Sequence, residues 1–155
     1  MIEAKFSWNG DPVVRALEEA AWEGLQRAAL RLHTHLLETL NVPNTGESRK
    51  HPTRKTASGR PATYTIYPHS SRPGEPPRKR TGWLQRNVRY ELDRSALRAR
   101  VGVTENARYG LYLEFGTARV AARPWLDSTF RVLLPELRAL VLAPVEKALR
   151  ETKLG

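Results

Sequence analysis

The sequence predicts an α+β fold. A small antiparallel sheet of about three to four strands packs against a long N-terminal helix and a kinked C-terminal helix, with extended basic loops. Three observations predict it. Apolar residues recur every three or four positions over a long stretch at each end of the chain. Short alternating or branched runs lie between those stretches. Two tracts, residues 43–62 and 69–82, hold no Val, Ile, Leu, Met, Phe, Trp or Tyr. The core must therefore come from the two ends and a short middle. At 155 residues the expectation is a single domain over residues 1–155, with 43–62 and 69–82 as extended arms within it.

Asp11-Pro12 starts the first helix, because Asp caps free amides and Pro fits the first turn. Val14, Leu17, Ala21, Leu25, Ala28, Leu32, Leu36 and Leu40 then form one apolar stripe, which stops at Asn41-Val42-Pro43. A helix of about 40 Å is expected, bent at Gly24 or running along a neighbouring subunit. Residues 43–62 are expected as a loop or arm. Thr63-Tyr64-Thr65-Ile66-Tyr67 reads as a strand closed by Pro68. Pro73-Gly74 suits a type II turn, and Pro76-Pro77 a stiff extended spacer ending in Arg78, Lys79 and Arg80.

Residues 88–92 and 97–103 alternate as a half-buried hairpin around Asp93-Arg94-Ser95-Ala96. Pairing Leu92 with Leu97, Tyr90 with Ala99 and Val88 with Val101 puts six apolar residues on one face. It also sets Glu91 opposite Arg98 and, unfavourably, Arg89 opposite Arg100. Ala107 to Phe115 is expected as a short helix ended by Gly116, with Leu113 and Phe115 packed in the core. Pro124 opens the last helix, whose apolar face is Leu126, Phe130, Leu133, Leu137, Leu140 or Val141, Val145 and Ala148. Pro135 and Pro144 predict kinks or breaks in it.

The net charge is +10, and eleven Lys or Arg against one acid, Glu75, fall between Arg49 and Arg89. The rest of the chain is balanced, so the excess sits in one window. Such a block implies an acidic partner surface, nucleic acid, or both. The cations expected to face a partner or DNA are Arg49, Lys50, Arg54, Lys55, Arg60, Arg78, Lys79 and Arg80. Aromatics for base stacking are sparse there, and Tyr64 and Tyr90 are expected to face the core, which favours backbone or protein-surface contact over sequence readout. A Pro- and Arg-rich tract of this kind is seldom ordered alone, so neighbours are expected to hold it. The chain has no cysteine, hence no disulfide framework. Residues 1–7 lack an apolar core of signal-peptide length, and no apolar run approaches a membrane span. A soluble intracellular protein with no membrane contact is expected.

The makings of an active site are thin, and no enzyme activity, cofactor or metal is expected. His33 and His35 are two apart on a helix and cannot share a metal, while His51 and His69 sit in the apolar-free tracts. No glycine-rich phosphate loop is present. A basic ribonuclease of the toxin type needs only scattered Arg, Lys and His, and loss of RNA cleavage on changing His51 and His69 would establish one.

Two stretches carry more. One is Ser71-Arg72-Pro73-Gly74-Glu75-Pro76-Pro77 running on to Thr81-Gly82-Trp83-Leu84. The other is Tyr109-Gly110-Leu111-Tyr112-Leu113-Glu114-Phe115-Gly116-Thr117, followed by Ala122-Arg123-Pro124-Trp125-Leu126. Turn-forming and aromatic residues of this kind shape a backbone and adhere to neighbours. Pro73, Gly74, Trp83, Tyr109, Tyr112, Glu114, Arg119, Arg123 and Trp125 are the candidates for a subunit interface. Glu114, set among apolar residues, needs a partner if buried, and Arg119 and Arg123 are near enough in sequence to provide it.

In this order the motifs resemble the neck or tail-completion family of long-tailed bacteriophages, the head–tail joining or minor tail proteins. The resemblance covers roughly residues 71–130, with a fitting helix before and after. It implies a structural virion protein, made in the host cytoplasm, that forms a homo-oligomeric ring at the head–tail junction. The ring is expected to be sixfold, to contact other neck and tail proteins, and to meet passing double-stranded DNA nonspecifically. The tract from Asn44 to Arg72 is longer and more basic than the family pattern, so no partner contact is carried over to it. The alternative reading is a stand-alone basic nucleic-acid-binding module.

Overall fold

The computed structural model of the chain describes residues 11–44, 47–66 and 71–153, without the side chains of 47–49, 51–52, 64–66 and 153. In chain order the elements are α1 (Asp11–Thr39), β1 (Glu47–Lys55), β2 (Pro61–Ile66), α2 (Trp83–Arg86), β3 (Val88–Asp93), β4 (Arg98–Val103), α3 (Tyr109–Phe115) and α4 (Asp127–Lys153). The fold is α+β, as expected, with long helices at both ends. The single sheet is not found. Two separate antiparallel hairpins stand in its place, β1 with β2 and β3 with β4.

The chain divides into two compact units. One comprises the chain up to His35, Arg89–Gly102 and the chain from Phe130; the other comprises Leu36–Val88 and Val103–Thr129.

In the first unit, Ala20, Ala28, Ala29 and Leu32 of α1 are buried, as are Leu133 and Leu137 of α4. Val14, placed on the expected stripe, is exposed. α1 runs unbroken through Gly24. A side chain there would lie 2.7 Å from both Leu140 O and Val141 Cα of α4, so the glycine lets two backbones approach. Pro135 and Pro144 sit inside α4, which runs unbroken through both. Pro144 has no N–H to offer Leu140 O, four residues back. That carbonyl lies where Gly24 presents only hydrogen, an arrangement suited to a Cα–H···O contact.

Polar contacts add orientation to this unit. Arg31 Nε donates to Glu136 Oε1 at 2.6 Å and Nη2 to Oε2 at 3.2 Å. The Arg31 hydrogen bond holds the Glu136 carboxyl below its ordinary range. Stability lent by the pair is therefore complete above the usual glutamate range and fades as pH falls through the lowered value. Both groups face solvent, so the contribution is small and screened by salt. Arg94 pairs with Glu19 and lies 6.0 Å from the centroid of the Trp22 ring. His33 meets Tyr90 edge-on at 5.2 Å. Tyr90, expected in the core, is 38% exposed.

The β3–β4 turn spans residues 94–97. Asp93 Oδ1 accepts from Ser95 Oγ at 2.7 Å and Ala96 N–H at 3.1 Å, which holds its carboxyl below the ordinary value. Just beyond the strands, Thr104 N–H donates to Asn87 O at 3.0 Å. This bond and the strand ends set Arg89 across from Gly102 and Glu91 across from Arg100. The expected register is two residues off, and the Arg89–Arg100 clash disappears. Leu97 closes the turn at φ 43°, the one non-glycine residue with positive φ among those described. The left-handed region costs a branched residue about 1–2 kcal/mol, and the Leu97 side chain is exposed. Leu97→Asn is expected to raise stability by about 1 kcal/mol in chemical denaturation; an unchanged or lower midpoint would contradict the strain.

In the second unit, Leu36, Leu40, Leu84, Val88, Ala107 and Trp125 are buried. Asn87, also buried, donates through Nδ2 to Trp83 O at 2.8 Å and accepts from Thr104 Oγ1 at 2.8 Å. Gln85 Nε2 donates to Leu37 O at 2.9 Å. The tract expected as a loop, residues 43–62, instead supplies β1. Its register with β2 runs Glu47↔Ile66, Ser48↔Thr65, Arg49↔Tyr64 and Lys50↔Thr63, then shifts to Lys55↔Pro61. Four residues of β1, 51–54, thus lie against Ala62 alone. Pro52 falls in this bulge, where a strand tolerates a missing donor.

Candidate functional site

The site is built from the motifs of the second unit, which bond to one another. At Pro73-Gly74 the expected turn forms, with Gly74 at φ 85° and Glu75 N–H donating to Arg72 O at 3.0 Å. Only glycine takes that φ without strain. Gly74 N–H then donates to Ala122 O at 2.9 Å, tying the first motif to the last. Glu75 Oε2 accepts from Arg72 N–H at 3.1 Å. Further on, Lys79 N–H donates to Val42 O at 2.7 Å, and its carbonyl accepts from Asn44 N–H at 2.8 Å. Lys79 Nζ donates to Asn41 Oδ1 at 2.8 Å. The Pro-rich loop was expected to take its shape from neighbouring molecules. From residue 71 onward its own chain holds it, because Lys79 and Gly74 anchor it at two points.

Trp83 opens α2 and is 47% exposed, with Nε1 donating to Asn106 O at 2.9 Å. The indole edge is fixed while part of the ring faces solvent. Leu84 is buried against Gly110, where a side chain would meet Leu84 Cδ1 at 2.7 Å. In α3, Gly110 and Glu114 turn inward, while Tyr109, Leu111, Tyr112 and Phe115 are exposed. Phe115, expected in the core, is 78% exposed, and Leu113 is half-buried. At seven residues with one inward face, α3 leaves its aromatic side uncovered.

Glu114 is 6% exposed and has a different partner from the one expected. Its Oε2 accepts from Trp125 N–H at 2.8 Å and Leu126 N–H at 2.9 Å, and its Oε1 from Asp127 N–H at 2.9 Å. The carboxylate caps the start of α4, satisfying amides that a helix N-terminus leaves open. These three donors are backbone amides, not the side chains of Arg119 and Arg123. Arg119 is exposed, its N–H donating to Thr117 Oγ1 at 3.2 Å. Arg123 is half-buried, its N–H donating to Leu113 O at 2.6 Å. Trp125 is 1% exposed, with Nε1 donating to Gly110 O at 3.1 Å. Glu114 and Trp125, both candidates for a subunit interface, are thus spent inside their own unit. Pro73, Gly74, Trp83, Tyr109, Tyr112 and Arg119 remain at the surface.

A cleft of about 350 Å³ opens beside these motifs. Pro77, Arg78, Lys79 and Arg80 line it, together with Trp83 and Tyr109; Leu40, Leu84 and Leu113 supply apolar surface. Three of the cationic candidates and two of the aromatic ones thus share one concavity, a convergence sequence spacing alone does not reveal. Tyr109 is 41% exposed, yet desolvation at its hydroxyl raises the phenol above its ordinary value, opposed by a backbone hydrogen bond at Leu84.

The remaining cations stand on the first hairpin. Lys50, Arg54, Lys55 and Arg60 are exposed, and the Arg49 side chain lies outside the described residues. Its tip is closed by Thr56 N–H to Arg60 O at 2.8 Å and Gly59 N–H to Thr56 O at 2.9 Å. His69, Tyr67 and the side chains of His51 and Tyr64 lie outside the described residues. Among the described residues no three His, Asp or Glu converge as a metal site, and no helix is long and apolar enough to cross a membrane. Comparison with protein-family models, curated proteins and solved structures gives no match to this chain.

Proposed function

We propose that this chain is a structural protein of the phage neck or tail-completion type, a ring subunit at the head–tail junction through which DNA passes. One observation carries the reading beyond the motif order itself. The resembling motifs bond together in one unit, through Gly74 to Ala122, Leu84 against Gly110, and Glu114 to Trp125. They therefore act as parts of one structural signature. The exposed aromatic side of α3 (Leu111, Tyr112 and Phe115) suits contact between copies, and closed cyclic symmetry lets each subunit offer one face to the next. Electron microscopy of the purified protein mixed with tails or neck partners is the test. Rings are expected, sixfold by the resemblance; their consistent absence would sink the proposal.

A second reading, a nucleic-acid-binding module, is favoured by the β1–β2 hairpin. A two-stranded ribbon fits the major groove, and this one exposes Lys50, Arg54, Lys55 and Arg60. DNA affinity measured against salt separates the two. Submicromolar binding near physiological salt with a steep salt slope is the result for a module, whereas weak binding by the free protein is the result for a ring part.

A further inference from the structure

Helix α3 carries two opposed features. Tyr109 and Leu113, four residues apart, line the cleft from one side of the helix. Leu111 and Phe115, also four apart, lie about 200° round from them and are 43% and 78% exposed. The second pair therefore points away from the cleft. The chain that follows holds Phe115 in place. Gly116 takes φ 75°, and a side chain there would lie 2.9 Å from both Val120 O and Ala122 N. Thr117 N–H donates to Val120 O at 2.8 Å, and Arg123 N–H to Leu113 O at 2.6 Å. Phe115 is thus a projecting ring on a fixed backbone, and the bridge with Thr117 returns the exposed Val120 to the same corner. The cleft is the matching hollow. Leu40 and Leu84, both buried, and Pro77 give it apolar surface. Trp83 and Tyr109 stand at it as partly exposed rings, with Trp83 Nε1 held on Asn106 O.

We infer that Phe115 of one copy enters the cleft of the next, so that successive copies of this chain join head to tail. The inference deepens the ring reading by naming the contact between copies. Knob and hollow belong to the same compact unit but to opposite sides of one helix, so a copy does not fill its own cleft. A contact between two different patches is heterologous, and its repetition closes a ring or extends a filament. An aromatic anchor suits the hollow. Trp83 and Tyr109 offer it ring edges and faces, and the basic side chains at the rim attract a ring face. A cleft of about 350 Å³ is at the small end of ligand sites, with room for one anchor. Because the backbone around Phe115 is already fixed, little ordering opposes the contact. A single aromatic seated in a pocket is also where interface energy concentrates.

Sedimentation velocity of the full chain over a range of concentrations tests it. The wild-type protein is expected to self-associate. Phe115→Ser, which removes the knob, is expected to weaken association about tenfold or more. Leu113→Trp, which fills the hollow from a half-buried position, is expected to do the same. An equal mixture of the two variants is expected to stop at dimers, because one knob and one hollow remain usable between them. A monomeric wild type, or a Phe115→Ser variant that associates as wild type does, overturns the inference. So does a mixture that stays monomeric while both variants keep the wild-type unfolding midpoint. A second measurement decides the matter should Leu113→Trp fail to fold. With p-benzoylphenylalanine in place of Phe115, irradiation of mixed isotope-labelled and unlabelled copies is expected to crosslink one copy to residues 77–85 of another. Crosslinks between copies that fall only at residues 115–120 mean a symmetric contact and overturn the inference, as does the lack of any at 77–85. Rings that form on tails with wild type and Phe115→Ser alike would remove this contact and leave the ring reading standing. Head-to-tail association without rings on tails would do the reverse.

Discussion

Glu114→Gln is expected to destabilise the protein by about 2–3 kcal/mol although it changes neither size nor shape. The carboxylate accepts three backbone N–H groups through two oxygens, all at 2.8 to 2.9 Å. An amide keeps one acceptor and replaces the other with a donor. The best rotamer keeps oxygen toward Trp125 and Leu126 and turns an NH2 against the Asp127 N–H. Burial prevents water from substituting, and loss of the negative charge removes its favourable interaction with the helix end. For a chain of 155 residues, a midpoint drop of about 5–10 °C follows. Glu114→Ala, which leaves all three donors open, is expected to cost more. Thermal unfolding by circular dichroism checks both, and a Gln variant within about 0.5 kcal/mol of wild type would refute the capping role.

Gly24→Ala is expected to destabilise, against the ordinary sign for a helix interior. Propensity alone favours Ala by about 1 kcal/mol. The added carbon, however, would sit 2.7 Å from Leu140 O and 2.7 Å from Val141 Cα, both backbone atoms that cannot rotate aside. Relief requires moving α4 away from α1, which loosens the packing around Leu133 and Leu137. Overpacking of this kind costs about 1–3 kcal/mol, occasionally more, and here must also exceed the propensity gain. A net loss of about 2 kcal/mol in equilibrium denaturation is the expected result; a variant more stable than wild type would show that the helices do not approach this closely.

These two residues mark where the sequence stops being readable. Periodic features survive translation into structure because they depend only on local spacing. The stripe through Ala28, Leu32, Leu36 and Leu40 is buried as read, the β3–β4 hairpin forms where alternation predicts it, and Gly74 takes positive φ in its turn. Gly24 cannot be interpreted that way, because its role lies in the backbone of a helix more than a hundred residues on. Glu114 was legible as an acid needing a partner, but the partner is three amides that carry no side-chain label. β1 was missed because its residues are Lys, Arg, His and Pro, and its order comes from pairing with β2 across a bulge. Phe115 reads as core by hydropathy; α3 is too narrow to turn it inward beside Glu114 and Gly110.

For the candidate site, the members were legible and their grouping was not. Arg78, Lys79, Arg80, Trp83 and Tyr109 all stood out as isolated candidates, and the cleft joins them. Trp125 stood out for the same reason, a large aromatic beside turn residues, and proves internal. Hydropathy and motif order do not distinguish an aromatic that packs inward from one that waits for a partner.

The division of the chain has a practical outcome for anyone dissecting this protein. Each compact unit is assembled from non-adjacent pieces, with crossings after His35, Val88, Gly102 and Thr129. No single truncation frees either one whole: removing residues from Phe130 onward takes the start of α4 apart from the rest of that helix, and stopping before Val103 deletes Glu114 together with the amides it caps. Functional mapping by serial deletion would therefore report collapse rather than the location of an activity. Point substitutions on the surface, leaving the covalent path intact, are the informative route.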